Sequence, residues 1–239
     1  MIGIKYEGRL GNCLFQYSAA RAFANRFGLI LDSKDNLYMM KLAGNLVNYV
    51  IGGNEYRESK ILLNDENFLR LYKSSSIDKG HYIISSGMQN PDFIRECLPD
   101  IKNTIRLNDV VKEADSVLVH VRLGDCDNSP RRLPYGYYRD ALKLCSFSTG
   151  YICSDTMDHP DVKSLIREFG LIPYQESASN ILKNSGRFQK LILSEGTFSW
   201  WMGVLSGSDE IYINKRKRES LWHGDIFVFP EWKETNYCS

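Results

Sequence analysis

Apolar and polar positions follow two regimes along this chain. Residues 2–6 predict a first strand, and Phe15, Ala19, Ala22 and Phe23 recur at helical spacing, so a helix is expected over 13–27 with Gly28 as its left-handed stop. Residues 29–32 predict a second strand. Residues 33–80 show no clear period; a helix is expected over 64–73, and Gly44, Gly52 and Gly53 mark turns. A short strand is expected over 81–85, with Asp92 as the N-cap of a helix running through Cys97. From residue 116 the pattern sharpens. Strands are expected over 116–121, 151–154, 171–175, 190–194 and 210–214, the last being the final strand. Between them fall helices over 137–144, 158–169, 178–183 and 197–205. Strands alternating with helices imply parallel sheets joined by right-handed crossovers.

A chain of 239 residues accommodates two α/β lobes. The change of pattern places their boundary near residue 110, giving lobes 1–110 and 111–239, with no Gly/Ser-rich linker between them. A net charge of +1 from 30 basic and 29 acidic side chains gives no footprint for nucleic acid or an anionic membrane. The six cysteines show no zinc spacing and read as reduced thiols. The opening MIGIKYEG runs straight into a strand-like pattern, and no apolar run approaches the roughly 20 residues that span a bilayer. A cytoplasmic protein is expected, with an anchor lost upstream as the alternative. Oligomeric state is not legible.

Four stretches carry candidate chemistry. In Val117-Leu118-Val119-His120-Val121-Arg122-Leu123-Gly124-Asp125, an apolar strand ends in a polar cluster, where open α/β sheets hold ligands. The planar fork of Arg122 suits phosphate oxygens, with Asp125 to orient it. The alternative is a strand-end turn with a solvated ion pair. Glu7-Gly8-Arg9-Leu10-Gly11-Asn12 opens the first helix; its glycines let backbone N–H groups approach a ligand, or serve only the turn. Ser194-Glu195-Gly196-Thr197-Phe198-Ser199 leads into Trp200 and Trp201. Its hydroxyls and helix N–H groups suit a diphosphate; alternatively Thr197 or Ser199 caps the helix. Ser154-Asp155 ends a strand, where the carboxylate either reads a guanine edge or caps the next helix. His120, Asp125, Asp158 and His159 lack paired ligand spacing, so no metal is expected. The basic run 215–218 reads as a solvated loop.

Taken together, these segments resemble the α-1,2-fucosyltransferases, glycosyltransferase family 11, and more distantly the protein O-fucosyltransferases and α-1,6-fucosyltransferases. Gly8-Arg9-Leu10-Gly11-Asn12 with Phe15-Gln16-Tyr17 is similar to the family's G-x-L-G-N-Q-x-F-Q-Y. His120 to Asp125 is similar to H-x-R-R-G-D, Ser154-Asp155 to S-D-D, and Thr197 to Gly203 to S-F-S-W-W-G. Cys13, Leu123, Thr156 and Glu195-Gly196-Thr197 depart from those patterns.

The resemblance implies a GT-B-like α/β fold: two Rossmann-like lobes with mostly parallel sheets facing a cleft, the N-terminal lobe reduced and on the acceptor side. It implies an inverting, metal-independent transferase without cofactor that moves L-fucose from GDP-L-fucose to a glycan hydroxyl, in α-1,2 linkage to a hexose such as galactose. By motif position Arg122 contacts the β-phosphate. Thr197, Phe198 and Ser199 supply donors, and Arg9, Gly11 and Asn12 reach the same diphosphate. Ser154, Asp155 and His120 face the nucleotide. Asp125 and Glu7 are candidates for the acceptor base by position, and loops 33–80 and 126–136 for acceptor contacts. The competing readings are transfer of another deoxyhexose from a nucleotide donor, or a nucleotide- or glycan-binding protein without turnover.

Overall fold

The computed structural model describes residues 1–32, 36–47, 60–215, 224–227 and 229–235. The chain divides into two compact units, Met1–Leu107 with Lys217–Ile226, and Asn108–Arg216 with Phe227–Ser239. Cys238 and residues 216–218 of the basic run lie outside the described residues, as do 33–35 and 48–59 of the first candidate acceptor loop.

The first unit contains β1 (Ile2–Ile4), α1 (Leu10–Phe27), α2 (Asn36–Ala43), β2 (Lys60–Leu63), α3 (Phe68–Tyr72), β3 (His81–Ile84) and α4 (Pro91–Lys102). Its strands form a parallel sheet in the order β1-β3-β2. The core follows from α1, where Phe15, Ala19, Ala22 and Phe23 are all buried. Phe23 meets Phe68 and Tyr82 at ring distances of 5.5 and 5.2 Å, and Phe68 meets Phe93 edge-on at 4.6 Å. Gly28 ends α1 at φ 63°, as its position in the sequence predicts.

Three expectations for this unit are corrected. The strand expected over 29–32 reduces to one bridge between Ile2 and Leu31. The helix expected over 64–73 shortens to Phe68–Tyr72, because the Asn64 side chain accepts from the N–H groups of Glu66 and Asn67 at 3.1 and 3.0 Å. Such a local turn competes with the helix. The cap of α4 is Asn90 rather than Asp92: Asn90 Oδ1 accepts from the N–H groups of Asp92 and Phe93, and Pro91 takes the first helical position. The helix also runs past Cys97 through Pro99, since Arg95, Glu96 and Pro99 lie on its exposed face. There water can satisfy the carbonyl that a proline leaves without its helical donor.

The second unit contains β4 (Glu113–Val121), α5 (Tyr135–Leu144), β5 (Thr149–Ser154), α6 (Pro160–Phe169), β6 (Ile172–Pro173), α7 (Ala178–Lys183), β7 (Phe188–Ile192), α8 (Thr197–Ser206), β8 (Glu210–Asn214) and β9 (Lys233–Thr235). Six parallel strands lie in the order β6-β5-β4-β7-β8-β9. Glu210–Asn214 is therefore not the last strand. β9 carries no apolar run, and two of its three residues are exposed at the sheet edge. β4 lies in the middle, where the order reverses. Its side chains alternate between faces: Val117, Val119 and Val121 pack with Tyr137, Tyr138, Ala141 and Leu142 of α5 and Val162 and Leu165 of α6. Leu118 and His120 thus face the opposite layer, to which α8 belongs, and there His120 meets Ser199.

Candidate functional site

In the second unit the strand-end motif and the α8 turn converge. Arg122 follows β4 on the His120 side of the sheet, and its side chain is 22% exposed. Nε and Nη2 donate to the Asp125 carboxylate, with the shortest contact at 3.1 Å. Nη1 donates to the Glu195 carbonyl at 3.5 Å. Asp125 thus orients Arg122, and the fork reaches the residue just before the N-cap of α8. Gly196 makes this approach possible. It sits at φ 117°, and a Cβ there would lie 2.1 Å from Arg122 Nη1. Arg122 carries five N–H donors, more than these contacts use, so it retains hydrogen-bonding capacity toward an anion.

Gly196 is also the N-cap of α8, without a side-chain cap. The alternative that Thr197 or Ser199 serves only as the cap is therefore set aside. Both tryptophans are core, fully buried and edge-to-face at 5.0 Å. Phe198 is partly buried, with its ring 5.1 Å from that of His120. Ser199 Oγ lies 2.7 Å from His120 Nδ1 and 2.9 Å from Ser194 Oγ; Ser194 Oγ is 3.2 Å from the same Nδ1. Ser199 is fully buried, so its hydroxyl belongs to this cluster. Thr197 is 8% exposed.

Asp155 is not the cap of α6, which is His159: its Nδ1 accepts from the Asp161 N–H at 3.1 Å. Instead Asp155 Oδ1 accepts from the Leu123 N–H at 2.9 Å, and Thr156 Oγ1 from the Gly124 N–H at 3.3 Å. Residues 155 and 156 therefore clamp the backbone turn that carries Arg122. Gly124 is required by this packing, since a Cβ would fall 2.4 Å from Asp155 Oδ2. Ser154 Oγ accepts from the Thr156 N–H at 3.0 Å. Arg132, in the second candidate acceptor loop, pairs with Asp127 at 2.9 Å and Asp161 at 2.6 Å. Among the described residues no cluster of three metal-ligating side chains forms.

In the first unit, Gly8 turns at φ 85°, and a Cβ there would meet Asn12 Nδ2 at 2.3 Å. Arg9 is exposed at the N-cap of α1, Gly11 is buried, and Gln89 Nε2 donates to Asn12 Oδ1 at 3.4 Å. Glu7 is exposed and pairs with Lys5 at 3.3 Å, while its N–H donates to Gln16 Oε1. Ser194, Glu195 and Gln89 were not among the expected site residues. The signal for the first two was their place in the candidate stretch 194–199, at the end of the expected strand and just before the Thr197 helix; Gln89 had only the Gly87 turn beside it.

No protein-family model matches the chain, and no curated protein sequence matches it. Solved structures do. A fucosyltransferase NodZ from Bradyrhizobium superposes with a TM-score of 0.57 at 14% identity, over 88% of this chain and 94% of that one. NodZ α-1,6-fucosyltransferase soaked with GDP-fucose gives 0.55 at 14% identity, and the same enzyme co-crystallised with GDP gives 0.55 at 15%, each over 88% of this chain and 93% of that one. The likeness establishes the fold: a GT-B-like α/β fold, as the resemblance implies, with the parallel sheets that the strand–helix alternation predicts.

Proposed function

We propose that this chain is an inverting, metal-independent glycosyltransferase that moves L-fucose from GDP-L-fucose to a glycan hydroxyl, in α-1,2 linkage to a hexose such as galactose. The observation that carries the reading is Arg122, held between Asp125 and the Glu195 carbonyl at the opening of α8. When the sugar leaves, negative charge grows on the β-phosphate, and fixed donors stabilise it without reorganisation. Arg122 supplies the guanidinium and the first turn of α8, from Thr197 to Ser199, its N–H groups. The solved NodZ structures named for GDP-fucose and GDP support the donor class. The four motifs together support the family and the linkage.

Within this reading Ser154, Asp155 and His120 lie on the nucleotide side, and Arg9, Gly11 and Asn12 of the first unit bind diphosphate. Asp125 acts through Arg122 as a positioning residue. Glu7 is the candidate acceptor base by position, beside the Gly8 turn.

The test is Arg122→Ala, assayed with GDP-L-fucose and lactose. A folded protein whose turnover falls by about 10²–10³-fold is expected. Near-normal transfer refutes the role. Release of the nucleoside diphosphate from another nucleotide sugar in preference to GDP from GDP-L-fucose refutes the donor, and linkage analysis of the product distinguishes α-1,2 from α-1,6. Glu7→Gln is expected to leave GDP affinity unchanged and to lower turnover by about 10²-fold.

A further inference from the structure

We infer that Ser199 and Ser194 are positioning residues that fix the tautomer of His120, leaving its proton on Nε2. The inference deepens the proposed function, on which its kinetic arm rests. Three buried groups meet in a triangle: His120 Nδ1, Ser199 Oγ and Ser194 Oγ, at 2.7, 3.2 and 2.9 Å. Ser199 is the third residue of α8, so Nδ1 faces the first turn of a ten-residue helix. The N-terminal end of a helix carries partial positive charge. It favours a bare nitrogen lone pair there over an N–H, and a histidine so placed is held as a neutral donor through its other nitrogen. Ser199 donates its one proton to Nδ1, and Ser194 donates its own to Ser199 Oγ at 2.9 Å, the Glu195 carbonyl at 3.4 Å being the more distant acceptor. That carbonyl accepts from Arg122 Nη1. The hydroxyl pair that sets the ring thus lies beside the carbonyl that holds the guanidinium. A diphosphate contact by the Ser199 hydroxyl, which the family resemblance implies, is replaced by an action through His120.

The experiment is ¹⁵N-histidine NMR on the whole protein, whose four histidines are assigned with a His120→Gln variant. The wild-type ring is expected to show the Nε2–H pattern. Ser199→Ala is expected to shift it toward the Nδ1–H form, and Ser194→Ala to do so more weakly. A wild-type Nδ1–H pattern, or a ring unmoved by Ser199→Ala, overturns the inference. This arm needs no nucleotide, so it stands apart from the assignment of function.

The second arm is a double-mutant cycle in kcat/KM for GDP-L-fucose. Ser199→Ala is expected to cost about tenfold alone and less than twofold on the His120→Gln background. Full additivity overturns the inference. So does a loss of affinity for GDP without a matching loss for guanosine, the signature of a direct phosphate contact. A wild-type protein that neither binds GDP nor turns over GDP-L-fucose defeats the functional reading instead.

Discussion

Arg122 is restrained from two sides, and each restraint can be removed separately. Asp125→Asn keeps the side-chain volume but weakens the charge-assisted bonds. Turnover is expected to fall by about tenfold, less than for Arg122→Ala, in a protein of unchanged melting temperature. Gly196→Ala drives a methyl group into Nη1 and strains a backbone at φ 117°; it is expected to match Arg122→Ala in turnover. Gly207→Ala is the control. It also has a positive φ, 57°, but nothing stands within 4 Å of its Cβ, so it should cost about 1 kcal/mol of stability and leave turnover alone. Equal turnover loss in both alanine variants would refute the steric account.

The buried thiols make a second case at this scale. Burial lifts Cys13 from the ordinary 9.0 to about 11 and Cys97 to about 12. The folded protein holds these protons where the unfolded chain releases them. Their contribution to stability is therefore complete below pH 9 and declines as pH rises toward 11 and 12. Urea midpoints should fall across that window. At pH 8 both thiols should alkylate slowly in native protein and quickly in urea, as peptide mapping will show.

Among elements, legibility followed the strength of the apolar signal. α8 begins at Thr197 and β8 runs over 210–214 as expected, because apolar runs between glycine turns leave little choice of period. β2 escaped notice: three of its four residues are at least partly exposed at an edge, so burial does not impose alternation on its sequence. In the first unit, side-chain-to-backbone bonds decide what periodicity cannot. Asp65 lies past the end of β2 and is 5% exposed. It accepts from the N–H groups of Met88 and Asn90 at 3.0 and 2.8 Å and from Ser86 Oγ at 2.7 Å. Met88 is thereby held at φ 55°. Asp65→Ala strands these donors and is expected to cost on the order of 3 kcal/mol, read as a lowered urea midpoint. The candidate site divides in the same way. Arg122 with Asp125 was legible as a pair three residues apart. Asp155 as a clamp on the Leu123 N–H, and Ser199 as a partner of His120, were not, since each depends on strand register and helix placement.

For the molecule as a whole, parallel sheets with β4 at the reversal of strand order put Arg122 where α/β proteins bind ligands. Ligand linkage tests that placement globally. GDP at about 100 times its Kd should stabilise the fold by about 2.7 kcal/mol, and ADP at equal concentration should not; identical melting shifts would argue against guanine selectivity. Transfer is expected to persist in EDTA, and loss of activity restored by a divalent cation would refute metal independence. No helix among the described residues is long and apolar enough to cross a membrane.

β9 pairs with β8 from residues 233–235, long after the other strands of its sheet have been specified. On a ribosome, then, the outer margin of this sheet stays open until residues 233–235 emerge. Until they emerge, Tyr212 to Asn214 offer an open backbone ladder to any passing strand. A nonsense codon shortly before 233 should therefore yield inclusion bodies in place of folded protein, read as loss of the soluble fraction.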